Sequence, residues 1–221
     1  MNRAALLALL AVAAPAAAAE QLKTDPEAGN NVFSAVFDAR LGERITAQSS
    51  AVACDLSYDA GAGTASGTCS VPLTSIKVDN EETKTGHFQQ WVTNKKSDPK
   101  DCRFEARFER VRVGPLSPER PAEFAARIPF TVCGRGPVDG RKEQVAGTAL
   151  LFPPGAYGEK KTIRIRATIQ RFDRDAYHIG PRYTEGWLAR VQSLAKVVAQ
   201  EGTVELSLFA KSQGDQAAAA R

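Results

Sequence analysis

Any chemistry in this chain would have to come from two histidines and four cysteines. His178 follows Asp173, Asp175 and Tyr177, a grouping that invites an acid–base or metal-binding role. The alternative is a turn histidine beside strand-end acids. His87 stands next to Phe88 in a segment with helical spacing, where it either faces solvent or meets a ligand. No G-x-S-x-G elbow, H-E-x-x-H pair or phosphate-cradling P-loop occurs, and no two cysteines have C-x-x-C spacing. The sequence therefore leads to an expectation of no catalytic residue and no metal site.

The cysteines read better as bridges. Cys54 and Cys69 flank Ala60-Gly61-Ala62-Gly63, and a register centred on that turn pairs Cys54 with Cys69 and Val52 with Val71. Antiparallel strands in that register put both sulfurs on one face. Cys102 and Cys133 flank Pro115 to Arg120 in the same way. There the register opposes the facing of Phe104 and Phe130, and a bulge near Glu109-Arg110 would reconcile them. Cys54–Cys69 and Cys102–Cys133 are the expected pairs.

Disulfides presuppose an oxidising compartment, and the first residues supply a route. Arg3 precedes the apolar run AALLALLAVAA, and Ala17-Ala18-Ala19 offers a cleavage site before Glu20. The expected organisation is a signal peptide over 1–19, a lead-in over 20–29, one domain over 30–211 and a disordered tail over 212–221. Periplasmic localisation follows for an organism with an outer membrane. The formal net charge of +4 falls by one when Arg3 leaves with the leader, and so demands no nucleic-acid partner. With 221 residues, 43% of them hydrophobic, the chain can bury one sizeable core.

The elements that must position these residues are mostly strands. Arg103 to Val113 alternates apolar and charged residues, Glu123 to Val132 puts Phe124, Ala126, Ile128, Phe130 and Val132 on one face, and Ile163 to Ile169 alternates with Arg164, Arg166 and Thr168. Further strands are expected over 32–40, 44–48, 51–58, 64–75, 144–152 and 203–209. Period-two alternation with regular turns predicts an all-β fold, a roughly eight-stranded antiparallel barrel. Two short helices interrupt it. Asn80 is the expected N-cap of the first, with Lys84, Phe88, Trp91 and Val92 toward one side. The second is expected over about 184–198, with an apolar stripe from Trp187 to Val198.

Several runs resemble a known family in the same order. These are Val71 to Trp91 (VPLTSIKVDNEETKTGHFQQW), Phe130-Thr131-Val132-Cys133-Gly134 with Gly136-Pro137-Val138, Gln170 to Ile179, and the closing Gly202 to Ala210. They are similar to the signatures of the YceI-like family of lipocalin-like, lipid-binding periplasmic proteins, and the resemblance covers about Asn30 to Ala210. The chain departs from the pattern at Cys133, where the family carries His, and at Arg40 and Asp173. The resemblance implies non-catalytic binding or transport of a long apolar lipid, a polyisoprenoid or isoprenoid quinone, as the ligand in place of any cofactor.

Such a tail would lie against the inward faces of the strands. The expected contacts are Val52, Val71, Phe104, Phe108, Ile128, Phe130, Ile163, Ile165, Leu206 and Leu208, with His87, Phe88 and Trp91 toward the mouth. The outward arginines, Arg103, Arg107, Arg164 and Arg166, suit a solvated exterior or a peripheral membrane contact. The oligomeric state stays open, a homodimer being one arrangement. A filled barrel serving as an interaction or stress-protective module is the alternative, followed by a lipid-acting enzyme.

Overall fold

A computed structural model describes residues 19–39, 42–156, 158–184 and 198–214. Twelve strands form one antiparallel sheet: β1 (Glu20–Thr24), β2 (Val32–Ala39), β3 (Arg44–Ser49), β4 (Ala53–Asp59), β5 (Thr64–Pro72), β6 (Lys77–Val78), β7 (Arg103–Arg112), β8 (Ala122–Ile128), β9 (Phe130–Val132), β10 (Glu143–Phe152), β11 (Thr162–Asp173) and β12 (Val198–Ser212). The helices among these residues are α1 (Glu82–Thr93), the four-residue α2 (Pro181–Thr184) and short 3-10 turns.

β12 is the spine. One edge pairs with β11, and the other pairs first with β2 and then with β1. Between those two partners the loop 25–31 leaves part of the β12 edge without a strand. The fully buried Asn31 fills the gap, accepting from the Phe209 amide (3.0 Å) while its own amide donates to the Asp25 carbonyl (2.9 Å). A buried N–H left unpaired there would destabilise the sheet.

From β12 the hydrogen-bonded path runs one way through β1, β4, β5 and β7 to β9, and the other way through β11 and β10 to β8. A side branch carries β2, β3 and β6. β8 and β9 lie end to end on either side of Pro129, which has no N–H to donate. The expected eight-stranded barrel is thus corrected to a 12-stranded sheet that wraps a common core without closing into a barrel.

The first hairpin keeps its expected register, with Cys54 opposite Cys69 and a disulfide between them. The second differs. β7 pairs with β9 through Phe104↔Val132 and Ala106↔Phe130, one residue off the expected register. Phe104 and Phe130 therefore share the inner face with no bulge between them, and Cys102 still bonds Cys133, which sits at φ 49°. The bulge at Glu109-Arg110 exists, but on the other edge of β7, against β5. Arg110 has φ 48° there, and its N–H donates to Ser66 Oγ (2.9 Å). The bulge moves the inward row from Phe108 to Val111, leaving Arg110 and Arg112 exposed.

Three boundaries also change. The lead-in contains β1, whose single inward apolar residue, Leu22, is too short a pattern to read as a strand. β12 continues through Ser212 because Lys211 and Ser212 pair with β1, so the expected tail begins later. Glu81, not Asn80, caps α1, since Asp79 and Asn80 both adopt left-handed backbone (φ 50° and 57°). Of the second helix expected over about 184–198, with its stripe from Trp187 to Val198, residues 185–197 lie outside the described residues, and Val198 opens β12 instead of closing a helix.

Candidate functional site

An apolar cavity of about 520 Å³ lies between α1, the β2–β3 side of the sheet and the ends of β7, β9 and β11. β2 supplies alternate residues Phe33, Ala35, Phe37 and Ala39, as its pleat dictates. α1 supplies Lys84, His87, Phe88 and Trp91, spaced to fall on one helix face.

α1 is held over the cavity at several points. The Val78 N–H donates to the buried Thr85 hydroxyl (3.0 Å), and the Arg135 guanidinium donates to the Val92 carbonyl. At the C-terminal end Asn94, at φ 53°, orients its amide to donate to the carbonyls of His178 (2.9 Å) and Trp91 (3.0 Å). The Phe88 ring stacks on Phe104 at 6.2 Å.

The cavity floor is a layer of aromatic rings drawn from four strands. Phe33 meets Phe104 at 5.8 Å, Phe104 meets Phe130 at 6.3 Å, and Phe130 meets Phe172 edge-on at 5.5 Å. Behind them Tyr177 stacks on Phe172 at 5.0 Å.

Polar groups gather at the rim. Lys84 bonds Asp79 (2.9 Å) and Glu81 (2.8 Å), and these two carboxylates raise its pKa and keep the ammonium charged. Arg174 is 9% exposed, and its guanidinium donates to the carbonyls of Ile179 (2.8 Å), Ala199 (3.0 Å) and Val198 (3.2 Å). Burial lowers its pKa, and burial raises that of its neighbour Asp175, whose carboxylate Arg182 meets at 2.7 Å. Gly180 makes room for this guanidinium, since a Cβ there would lie 2.4 Å from Arg174 Nη1.

Five of the expected contact residues line this cavity: His87, Phe88, Trp91, Phe104 and Phe130. The others sit deeper. Val52, Val71 and Ile128 line a void of about 50 Å³ beyond the aromatic layer. Ile163, Ile165 and Leu208 line a further void of about 60 Å³, and Phe108 and Leu206 stand on both voids. Tyr58 also lines this last void, and its hydroxyl donates to the Gly114 carbonyl (2.8 Å).

Sequence reasoning missed Phe33, Phe37 and Phe172. The first two alternate along β2 and were legible as one face; Phe172 lay within the Gln170 to Ile179 run. His178 is exposed, sits at φ 55° at the end of a 3-10 turn and stacks on Tyr183 at 4.6 Å, away from the cavity. Among the described residues no cluster of His, Cys, Asp or Glu is arranged to hold a metal, and no helix is long and apolar enough to cross a membrane. The site offers an apolar volume with a polar rim, suited to an amphiphile with its tail inward.

These features define an antiparallel β protein with an apolar cavity roofed by a helix. Among solved structures the chain is similar to a polyisoprenoid-binding domain from Saccharophagus degradans implicated in plant cell wall breakdown, with a TM-score of 0.51 and 14% identity over 88% of this chain and 99% of that one. At that identity the likeness is one of fold alone. No family model and no curated protein matches the chain.

Proposed function

We propose that the protein binds an apolar lipid, a polyisoprenoid or isoprenoid quinone, with its tail in the cavity under α1, and that it does so without catalysing a reaction. The observation that carries this reading is the cavity itself: about 520 Å³, floored by phenylalanines, with the charged groups Arg44, Asp79, Lys84 and Arg174 also among its lining. Each methylene taken from water into such a site contributes roughly 0.8 kcal/mol. The fold shared with a polyisoprenoid-binding domain supports the same ligand class.

The two disulfides support an oxidising location, which the leader before Glu20 would reach. A carrier moving lipid through the periplasm fits these features together. Native mass spectrometry of protein purified from an oxidising compartment, followed by organic extraction, tests the proposal. A stoichiometric isoprenoid or quinone adduct is the expected result. A clean apo mass that stays unchanged after incubation with such lipids would sink it.

A further inference from the structure

The interior is divided into three apolar spaces in series. The main cavity and the 50 Å³ void share Phe33, Phe104, Phe130 and Val204 as a common wall. That void and the 60 Å³ void share Cys69, Phe108, Ala167 and Leu206. The first and last spaces have no lining residue in common. Phe104 and Phe130 both belong to the first shared wall, where their rings meet at 6.3 Å.

The size of the first space limits what fits above this partition. At about 30 Å³ per water-sized group, 520 Å³ holds roughly 17 non-hydrogen atoms, which is close to three isoprene units. We infer that the Phe104–Phe130 partition sets the length of tail the site holds: about three isoprene units lie inside, and any longer chain leaves its remainder at the mouth. This rests on the lipid-binding reading above and adds to it the residues that determine tail length. The voids beyond are apolar and too small to take a further isoprene unit while both rings stay in place. Removing one ring joins the first void to the cavity and lengthens the channel. Ala167, on the wall between the two voids, is the position from which a larger side chain would refill that space.

The test uses the mature, disulfide-bonded protein and three probes, geraniol, farnesol and geranylgeraniol, with two, three and four isoprene units. Dissociation constants are measured for the wild type, Phe104→Ala, Phe130→Leu, and Phe104→Ala combined with Ala167→Leu. The wild type is expected to gain affinity from geraniol to farnesol and nothing further with geranylgeraniol. In Phe104→Ala geranylgeraniol should bind at least tenfold tighter than farnesol, with a smaller gain in the same direction for Phe130→Leu, the milder change if the alanine variant does not fold. Adding Ala167→Leu should remove the gain.

A wild type whose affinity keeps rising through the fourth unit would overturn the inference. So would folded variants, with both disulfides formed, that keep the wild-type length profile. Failure of every probe to bind the wild type is a different result. It removes the lipid-binding reading itself, since no length profile then exists to be altered.

Discussion

The Tyr177 hydroxyl donates to Glu143 Oε1 at 2.8 Å, and both side chains are almost wholly inaccessible to solvent, at 1% and 4% exposure. This bond ties the 3-10 turn after β11 to the start of β10, with Arg141 a further 3.6 Å from the same carboxylate oxygen. Tyr177 also stacks against the floor of the cavity, so the bond fixes one wall of the site.

Tyr177→Phe should destabilise the fold by about 1–3 kcal/mol, because it leaves a buried carboxylate oxygen without its donor. The loss also depends on pH. Burial, and then the bond to Glu143, raise the Tyr177 pKa above its ordinary value. The stability this group contributes is therefore complete below about pH 10, where the unfolded chain keeps it protonated, and it falls by about 1.4 kcal/mol per pH unit above that. Denaturant midpoints from pH 8 to 11 should converge for wild type and Tyr177→Phe as pH rises. Parallel curves would show that the bond does not contribute in this way.

The roof of the cavity should matter more for binding than for folding. Trp91 is half-buried on the cavity side of α1, so Trp91→Ala should weaken lipid binding by about 1.5 kcal/mol, roughly tenfold in Kd. Titration with farnesol checks this, alongside a denaturant midpoint expected to change much less than the affinity.

The two disulfides should differ in weight. Loop-closure entropy assigns about 3.0 kcal/mol to a bridge spanning 15 residues, as Cys54–Cys69 does, and about 3.7 kcal/mol to one spanning 31, as Cys102–Cys133 does. Guanidinium unfolding of the two separate Cys→Ala pairs measures the difference. A larger loss from removing the 54–69 pair would contradict the entropic account.

Gly67 sits at φ 141° opposite the β7 bulge, where a Cβ would lie 2.2 Å from the Asp55 carbonyl oxygen and 2.8 Å from Leu56 Cα. Backbone cannot yield as a flexible side chain can. Gly67→Ala should destabilise by about 2 kcal/mol or more, read as a lower thermal midpoint, whereas Gly86→Ala in α1, with no atom within 4 Å of its Cβ, should raise the midpoint slightly.

On the proposed export, processing should leave Glu20 as the first residue. Its carboxylate bonds Lys161, and β1 begins with it, so a cut before Glu20 preserves a strand that pairs on both edges. Intact mass after expression with the native leader reads the cleavage site. An N-terminus beyond Thr24 would rule out this boundary.

Much of the β structure was legible because alternation is local. Ile163 to Ile169 declares its inner face within seven residues, and the turn at Ala60 to Gly63 sets the register that joins Cys54 to Cys69. What could not be read depended on distant partners. Leu22 makes a strand only because Ser212 and Leu56 lie beside it. The register of β9 on β7, one residue off the expected one, is likewise a matter of which edge pairs with what. For the site, alternation identified inward residues correctly as a set but carried no information on depth. Phe104 and Val71 read alike in sequence, yet one floors a cavity and the other lies beyond it.

The position of β12 also constrains when this protein can become itself. Its ladders reach β1 and β2 at one end of the chain and β11 near the other, and the Asn31 amide waits for Phe209. A chain emerging from the ribosome cannot join the two arms of the sheet to one another until nearly its last residues have been made. Contacts of such long sequence separation form late and slowly. A nascent chain of this design can pair strands within each arm early, but it reaches its finished fold only when synthesis is all but complete.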